Sequence, residues 1–180
     1  MKKPIQMSHD FLAEIVTKES VFVDATLGNG NDSLFFAPLV KKVFAFDVQE
    51  AAIEASRAKL EAAGLDNVDL ILDGHEHLDN YLDSLDAAIF NLGYLPSADK
   101  SIITQATTTL EALSKILVRL KSGGRVAIMV YYGHKGGQEE KDSLLDFVSQ
   151  LNQKDYTVMI YQALNQINQP PFLLMIEKLS

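Results

Sequence analysis

The chain has 180 residues, no cysteine, an apolar share of 47% and a formal net charge of −8. That length suits one domain, 1–180, able to fold alone, and the composition excludes a disulfide framework, Cys-ligated zinc, a thiol nucleophile and a disordered low-complexity chain. No apolar run approaches membrane-spanning length, and Met1-Lys2-Lys3-Pro4 lacks the apolar core of a signal peptide, so the expected setting is the cytoplasm, away from membranes.

In chain order, Ser8–Thr17 predicts a short helix with Phe11, Leu12, Ile15 and Val16 on one face. Val21-Phe22-Val23 predicts a buried strand. From Asp24 the chain runs through Ala25-Thr26-Leu27-Gly28-Asn29-Gly30-Asn31-Asp32 into a helix at Ser33–Leu39. A strand, a glycine turn and a helix present backbone N–H groups to a ligand. Gly28-Asn29-Gly30 starts a G-x-G-x-x-G, but position 33 is Ser, so the glycines alone are a weak signal. Asp24 selects the ligand: a carboxylate there repels a pyrophosphate and suits a phosphate-free ligand with an ammonium group, such as S-adenosylmethionine. The alternative is a plain turn with a solvated Asp.

Val43–Phe46 is the second strand. It ends in Asp47, where an acid meets ribose hydroxyls. Gln49–Ala63 predicts a helix closed by Gly64, and Val68–Leu72 a third strand. Asp73-Gly74-His75 is placed to flank an adenine ring, or is only an Asp-initiated turn; a short helix follows at His75–Leu82. Ala87–Phe90 is the fourth strand, ending at Asn91. Thr104–Leu120 is a long helix closed by Lys121-Ser122-Gly123-Gly124, and Arg125–Tyr132 the fifth strand. The loop Gly133–Gly137, a helix at Glu139–Leu151 and strands at Tyr156–Tyr161 and Phe172–Ile176 complete the chain. The last two strands have no helix between them, so they predict an antiparallel hairpin. The fold class is therefore α/β: a Rossmann-like, mostly parallel seven-stranded sheet with a C-terminal antiparallel hairpin and helices on both faces.

Asn91-Leu92-Gly93-Tyr94-Leu95-Pro96 follows the fourth strand, and its Asn-x-x-Tyr frame resembles the Asn-Pro-Pro-Tyr signature of enzymes that methylate amino groups. The Asn amide oxygen can accept an N–H of the amine, and the Tyr ring can stack on a base. An aliphatic amine must arrive deprotonated, which a pocket with few acids favours. The competing reading is a turn with Tyr94 in the core. His134 sits in a Gly-rich loop that either closes over substrate, with His134 or Lys135 taking a proton or a phosphate, or is a plain surface loop. Asn165, Asn168 and Pro170-Pro171 shape an acceptor pocket or only connect the hairpin. His9, His75 and His77 form no metal set, so no metal is expected.

Residues 61–99 hold nine acids and no Lys or Arg, while the other 141 residues carry 16 basic and 15 acidic side chains. Acidity is thus regional, and RNA is expected to use faces bearing Lys41, Lys42, Lys115, Arg119, Arg125 or Lys135.

Together these motifs resemble the YtqB-like rRNA methylase family of class I S-adenosylmethionine-dependent methyltransferases, over nearly the whole chain. Its carriers are the Asp24–Asp32 stretch, Phe46-Asp47-Val48-Gln49, His75-Glu76, Phe90–Pro96, Asp99-Lys100, Tyr132-Gly133-His134 with Gly137 and Glu140, and Asn168 with Pro170-Pro171. The resemblance implies the MnmM-type reaction, N-methylation of 5-aminomethyl-2-thiouridine at the tRNA wobble position. It also implies cofactor contacts by Asn29, Asn31, Asp32, Asp47, Gln49 and His75. Ser97-Ala98 departs from the family's Gly-Gly, which touches the acceptor loop; Ser33 replaces a common Thr and keeps the hydroxyl.

The expected cofactor, S-adenosylmethionine, is thus assigned to Asp24, Thr26, Gly28, Asn29, Gly30, Asn31, Asp32, Asp47, Gln49, Gly74, His75 and Asn91, and catalysis to Asn91, Tyr94 and His134. The expected partner is the anticodon region of tRNA, with a homodimer left open. The rivals are an rRNA or small-molecule amine methyltransferase, and a non-catalytic nucleoside-binding module.

Overall fold

The computed structural model describes residues 1–92 and 106–180. In chain order the elements are α1 (Pro4–Ala13), β1 (Val21–Asp24), α2 (Asn31–Phe36, extended by a 3-10 turn at Ala37–Leu39), β2 (Lys42–Asp47), α3 (Glu50–Ala62) and β3 (Val68–Leu72). A 3-10 segment (His75–Asn80) follows, then β4 (Leu85–Leu92), α4 (Ala106–Arg119), β5 (Leu120–Val130), α5 (Gly137–Ser149), β6 (Tyr156–Tyr161) and β7 (Phe172–Lys178). The sheet order is β3-β2-β1-β4-β5-β7-β6. Strands β1 to β5 run parallel, and β7 is antiparallel to both β5 and β6. This is the mostly parallel sheet with a closing antiparallel pair that the strand pattern predicts.

Parallel strands covered on both faces read as near-continuous apolar runs. In β4, Ala87, Ala88, Ile89, Phe90 and Leu92 are all fully buried. One face packs on α4 and α5: Thr109, Ala112, Leu113, Ile116 and Leu117 of α4 share a stripe at helical spacing. The other face packs on α1, α2 and α3 through Leu12, Phe36 and Ile53, with Phe22 stacked on Phe36 at 4.1 Å. Connections leave β1 toward β2 on one side and reach β4 on the other. The crevice beyond Asp24 and Asn91 is therefore the switch point where such sheets bind ligands.

Local differences from the sequence expectations have physical causes. The leading helix lies at Pro4–Ala13 rather than Ser8–Thr17. Proline suits its first turn, the Lys3 N–H donates to the Gln6 side chain (3.1 Å), and the β-branched run Ile15-Val16-Thr17 does not extend it. The His75 segment is 3-10 because His75 and Leu78 are buried together at three-residue spacing. Strand β5 starts at Leu120, opposite Leu85; pairing then resumes at Arg125 opposite Ala87, so the expected glycine turn is an irregularity within the strand. The predicted start of the long helix, Thr104-Gln105, lies outside the described residues. Among the described residues no helix is long and apolar enough to cross a membrane, and no cluster of acids and histidines could hold a metal ion.

Candidate active site

The first strand ends in a buried acid. Asp24 has no exposed surface; the Ser33 hydroxyl donates to its Oδ2 (2.7 Å) and the Thr26 N–H to its Oδ1 (3.3 Å). Burial, reinforced by the nearby charges of Asp32 and Asp47, pushes its carboxyl up to about 7. Asp24 is thus not the solvated acid of a plain turn: it supports the turn from beneath, with Ser33 donating to it from the helix.

Above it the turn is pinned at several points. Gly28 and Gly30 adopt positive φ (51° and 70°). At Gly30 a Cβ would lie 2.7 Å from the Ser56 hydroxyl, so glycine is required by conformation and by space. Ser56 donates to the Gly28 carbonyl (3.2 Å). Lys59 donates to Asn31 Oδ1 (2.8 Å) and to the Asn29 carbonyl, holding these two exposed residues at the rim.

Asp47 closes the next strand end. Its Oδ2 accepts the Gly28 N–H and its Oδ1 the Gln49 N–H, both at 2.9 Å. A carboxylate has about four acceptor sites, so two remain for ligand hydroxyls. His75 lies under the same rim. Burial holds its pKa below the usual histidine range, so the neutral ring uses Nδ1–H to reach the Ala25 carbonyl (2.8 Å). Its Nε2 is then a buried acceptor with no hydrogen-bond partner among the described residues. Asp73 is committed to its own turn: it accepts from Gly74 N–H, Tyr81 Oη and His77 Nδ1 at 2.7–2.8 Å. Gly74 is buried against Glu76.

Asn91 ends β4. Its N–H donates to Thr26 Oγ1 (2.6 Å), and its Nδ2 donates to Asp32 Oδ2 (2.6 Å). Asp32 Oδ1 accepts from His9 Nε2 of α1 at 2.5 Å, so both oxygens of this buried acid are engaged by side chains. The expectation of an acid-poor acceptor pocket fails here, since Asp32 sits directly behind Asn91. Tyr94, Pro96 and the Ser97-Ala98 departure lie outside the described residues.

His134 follows β5 with Nε2 buried and unpartnered among the described residues, its ring against Gly137. No described hydrogen bond joins it to the Asp24–Asp32–Asn91 group. Asn165 and Asn168 lie on the exposed hairpin loop, where Asn168 takes a left-handed turn (φ 77°) and Gln169 packs near Gly133. The supporting roles of His9, Ser33, Ser56 and Lys59 were not anticipated. Only the small residues at 33 and 56, matching the tight turn they support, leave any trace in the sequence.

The cations expected to form an RNA face are mostly neutralised. Lys42 pairs with Asp69 (2.6 Å), Lys115 with Asp79 and Glu111 (3.1 and 2.9 Å), and Arg119 with Asp79 (3.9 Å). Arg125 pairs with Glu14 and Glu177 (2.5 and 2.7 Å). Among the described residues, Lys41 and Lys135 have no such acid.

Acids at the ends of β1 and β2 and in the first turn of α2 make the pocket unfavourable for a pyrophosphate and favourable for a cationic ligand. Asp47 offers acceptors for a ribose, and His75 Nε2 a buried acceptor for an amino group. These residues fit a nucleoside that bears a positively charged chain.

Comparison with known proteins agrees. The family model for "Putative rRNA methylase" matches residues 43–177. The chloroplastic tRNA (mnm(5)s(2)U34)-methyltransferase of Arabidopsis thaliana is 33% identical over 192 residues, covering 98% of this chain and 70% of its own length. A Streptococcus mutans protein solved in complex with SAH is 59% identical, with a TM-score of 0.95 and 99% of each chain covered. A rRNA methylase from Streptococcus thermophilus is 53% identical, with a TM-score of 0.89 and 100% and 99% covered.

Proposed function

The chain belongs to this rRNA methylase family and is an S-adenosylmethionine-dependent methyltransferase, and we propose that its acceptor is the 5-aminomethyl group of a tRNA wobble uridine. Asn91 carries this reading: an amide fixed near the end of β4, beside the nucleoside pocket, can accept an N–H of an amine. The named activity of the Arabidopsis relative, matched over 98% of this chain, supports it.

In this reading Asp47 holds the ribose, His75 Nε2 accepts from the adenine amino group, and the Gly28–Asn31 turn faces the amino-acid end. When bound, the cofactor would supply a methyl group on a sulfonium sulfur: as the C–N bond formed, the C–S bond would break with its electron pair left on sulfur, and the methylated ammonium would release its proton to water. The protein's share is alignment, worth several powers of ten when the lone pair is aimed correctly. Asn91 Oδ1 accepts one N–H of the amine and so sets that direction. Tyr94, by its Asn-x-x-Tyr frame, would stack on the base, and of the six cations expected to meet RNA, Lys41 and Lys135 have no acid partner among the described residues and would meet phosphate.

Mass spectrometry of nucleosides from cells with and without the protein tests this. Loss of 5-methylaminomethyl-2-thiouridine with accumulation of its aminomethyl precursor is expected. An unchanged tRNA profile with a missing methyl group in rRNA would replace the proposed substrate with rRNA.

A further inference from the structure

The first helix reaches into the site, and nothing in the proposed chemistry yet uses it. His9, on α1, stacks on Phe35 (centroids 4.2 Å apart, 24° between planes) and meets Phe36 edge-on at 5.4 Å. The helix beneath it is firmly seated. Leu12 is fully buried, Arg125 donates to the Phe11 carbonyl (2.8 Å), and the same guanidinium lies 4.7 Å over the Phe11 ring. From this base His9 Nε2 lies 2.5 Å from Asp32 Oδ1, while Asn91 Nδ2 lies 2.6 Å from Asp32 Oδ2.

We propose that His9 and Asp32 are positioning residues that fix the orientation of the Asn91 amide, so that its Oδ1 is presented to the acceptor. The inference rests on the reading of Asn91 given above. A carboxylate can only accept, so the groups facing Asp32 must be the Nε2–H of His9 and the Nδ2–H of Asn91. The reversed amide would set Oδ1 against the carboxylate. With Nδ2 turned to Asp32, Oδ1 points the other way.

Both Asp and Asn end in a soft torsion with no sharp preferred angle. Asp32 alone could swing about that torsion and let the amide turn with it. His9 stops the swing by clamping the oxygen that Asn91 does not use, and its own ring is clamped by Phe35 and Phe36. A rigid helix is thereby connected through two hydrogen bonds to one amide.

Stacking and hydrogen bonding can be separated at position 9. His9→Phe keeps the aromatic contact and loses the donor; His9→Gln loses the ring and keeps an N–H. Single-turnover methylation of tRNA bearing 5-aminomethyl-2-thiouridine should fall by about tenfold in His9→Phe and recover most of that in His9→Gln, with SAH affinity unchanged in both. In an Asn91→Ala background, His9→Phe should cost nothing more. Additive losses, a wild-type rate in His9→Phe, or a parallel loss of SAH affinity would overturn the proposal. Failure of Asn91→Ala to slow the reaction would instead remove the underlying reading of the acceptor site.

A second measurement needs no RNA. In ¹H–¹⁵N spectra of the SAH-bound protein, the Asn91 side-chain amide pair can be assigned by its absence in Asn91→Ala. It should shift in His9→Phe and stay in place in His9→Gln. An unmoved pair in His9→Phe would refute the clamp, whatever the acceptor is.

Discussion

Glu140 offers a stability test independent of any substrate. It lies in the first turn of α5, is 5% exposed, and its carboxyl accepts from the Thr109 hydroxyl of α4 at 3.3 Å. Burial pushes its carboxyl from 4.5 up to about 7, the Thr109 bond offsetting only part of that. In the unfolded chain it ionises near 4.5; in the folded protein it stays protonated until about 7. Between those values the native state binds the extra proton, so the contribution of Glu140 to stability is fully present below 4.5 and falls away as pH rises from there to about 7. The full difference corresponds to about 3 kcal/mol. Glu140→Gln keeps the shape and an acceptor for Thr109 but cannot ionise. Its stability should equal that of the wild type within about 1 kcal/mol at pH 5 and exceed it by about 3 kcal/mol at pH 8. Thermal unfolding at pH 8 would then rise by roughly 6–12 °C for a domain of this size. Asp24 titrates in the same range, but it is common to both proteins and cancels from the difference. Urea titrations of both proteins at the two pH values measure the effect. Parallel pH–stability curves would refute the reasoning, showing that the folded protein ionises Glu140 without penalty.

Other outcomes can be checked alongside. Asp47→Ala should weaken SAH binding by about 1–3 kcal/mol in calorimetry, since it removes the ribose acceptor and frees the Gly28 N–H from its 2.9 Å bond. Gly30→Ala should cost about 1–2 kcal/mol of stability in urea titration, because position 30 combines φ 70° with a Cβ 2.7 Å from Ser56 Oγ; pairing it with Ser56→Gly should recover the crowding part alone. Tyr94→Phe should retain single-turnover activity while Tyr94→Ala loses about 1–3 kcal/mol of base stacking; equal losses would point to the hydroxyl instead.

The architecture was largely legible because the strands of this sheet are apolar runs closed by polar residues. Asp24, Asp47 and Asn91 were found as strand-end residues, and their strands fall where the runs predict. Their roles were less legible, since a role depends on what folds back from elsewhere. Asp24 reads as a solvated acid until Ser33 is seen donating to it, and Asp32 as an open carboxylate until His9 and Asn91 are seen beside its two oxygens. His9 has no local signal: its partner is on another helix, and the sequence around it reads only as an amphipathic turn. The cations failed as a guide for a related reason. Lys42, Lys115, Arg119 and Arg125 look available in one dimension, and each meets an acid in three.

The place of β7 has a consequence for synthesis on the ribosome. It lies between β5 and β6, with Phe172, Leu173, Leu174 and Ile176 nearly or fully buried, yet it is made after both neighbours. Until residues 172–178 emerge, β5 and β6 each present an open strand edge and an uncovered apolar surface. The nascent chain cannot finish its core progressively from the front; it must wait for one late segment to be inserted between two earlier ones. Truncation within that segment should therefore harm the protein far more than removal of an equal length of loop, converting an assembled sheet into one with two adhesive gaps.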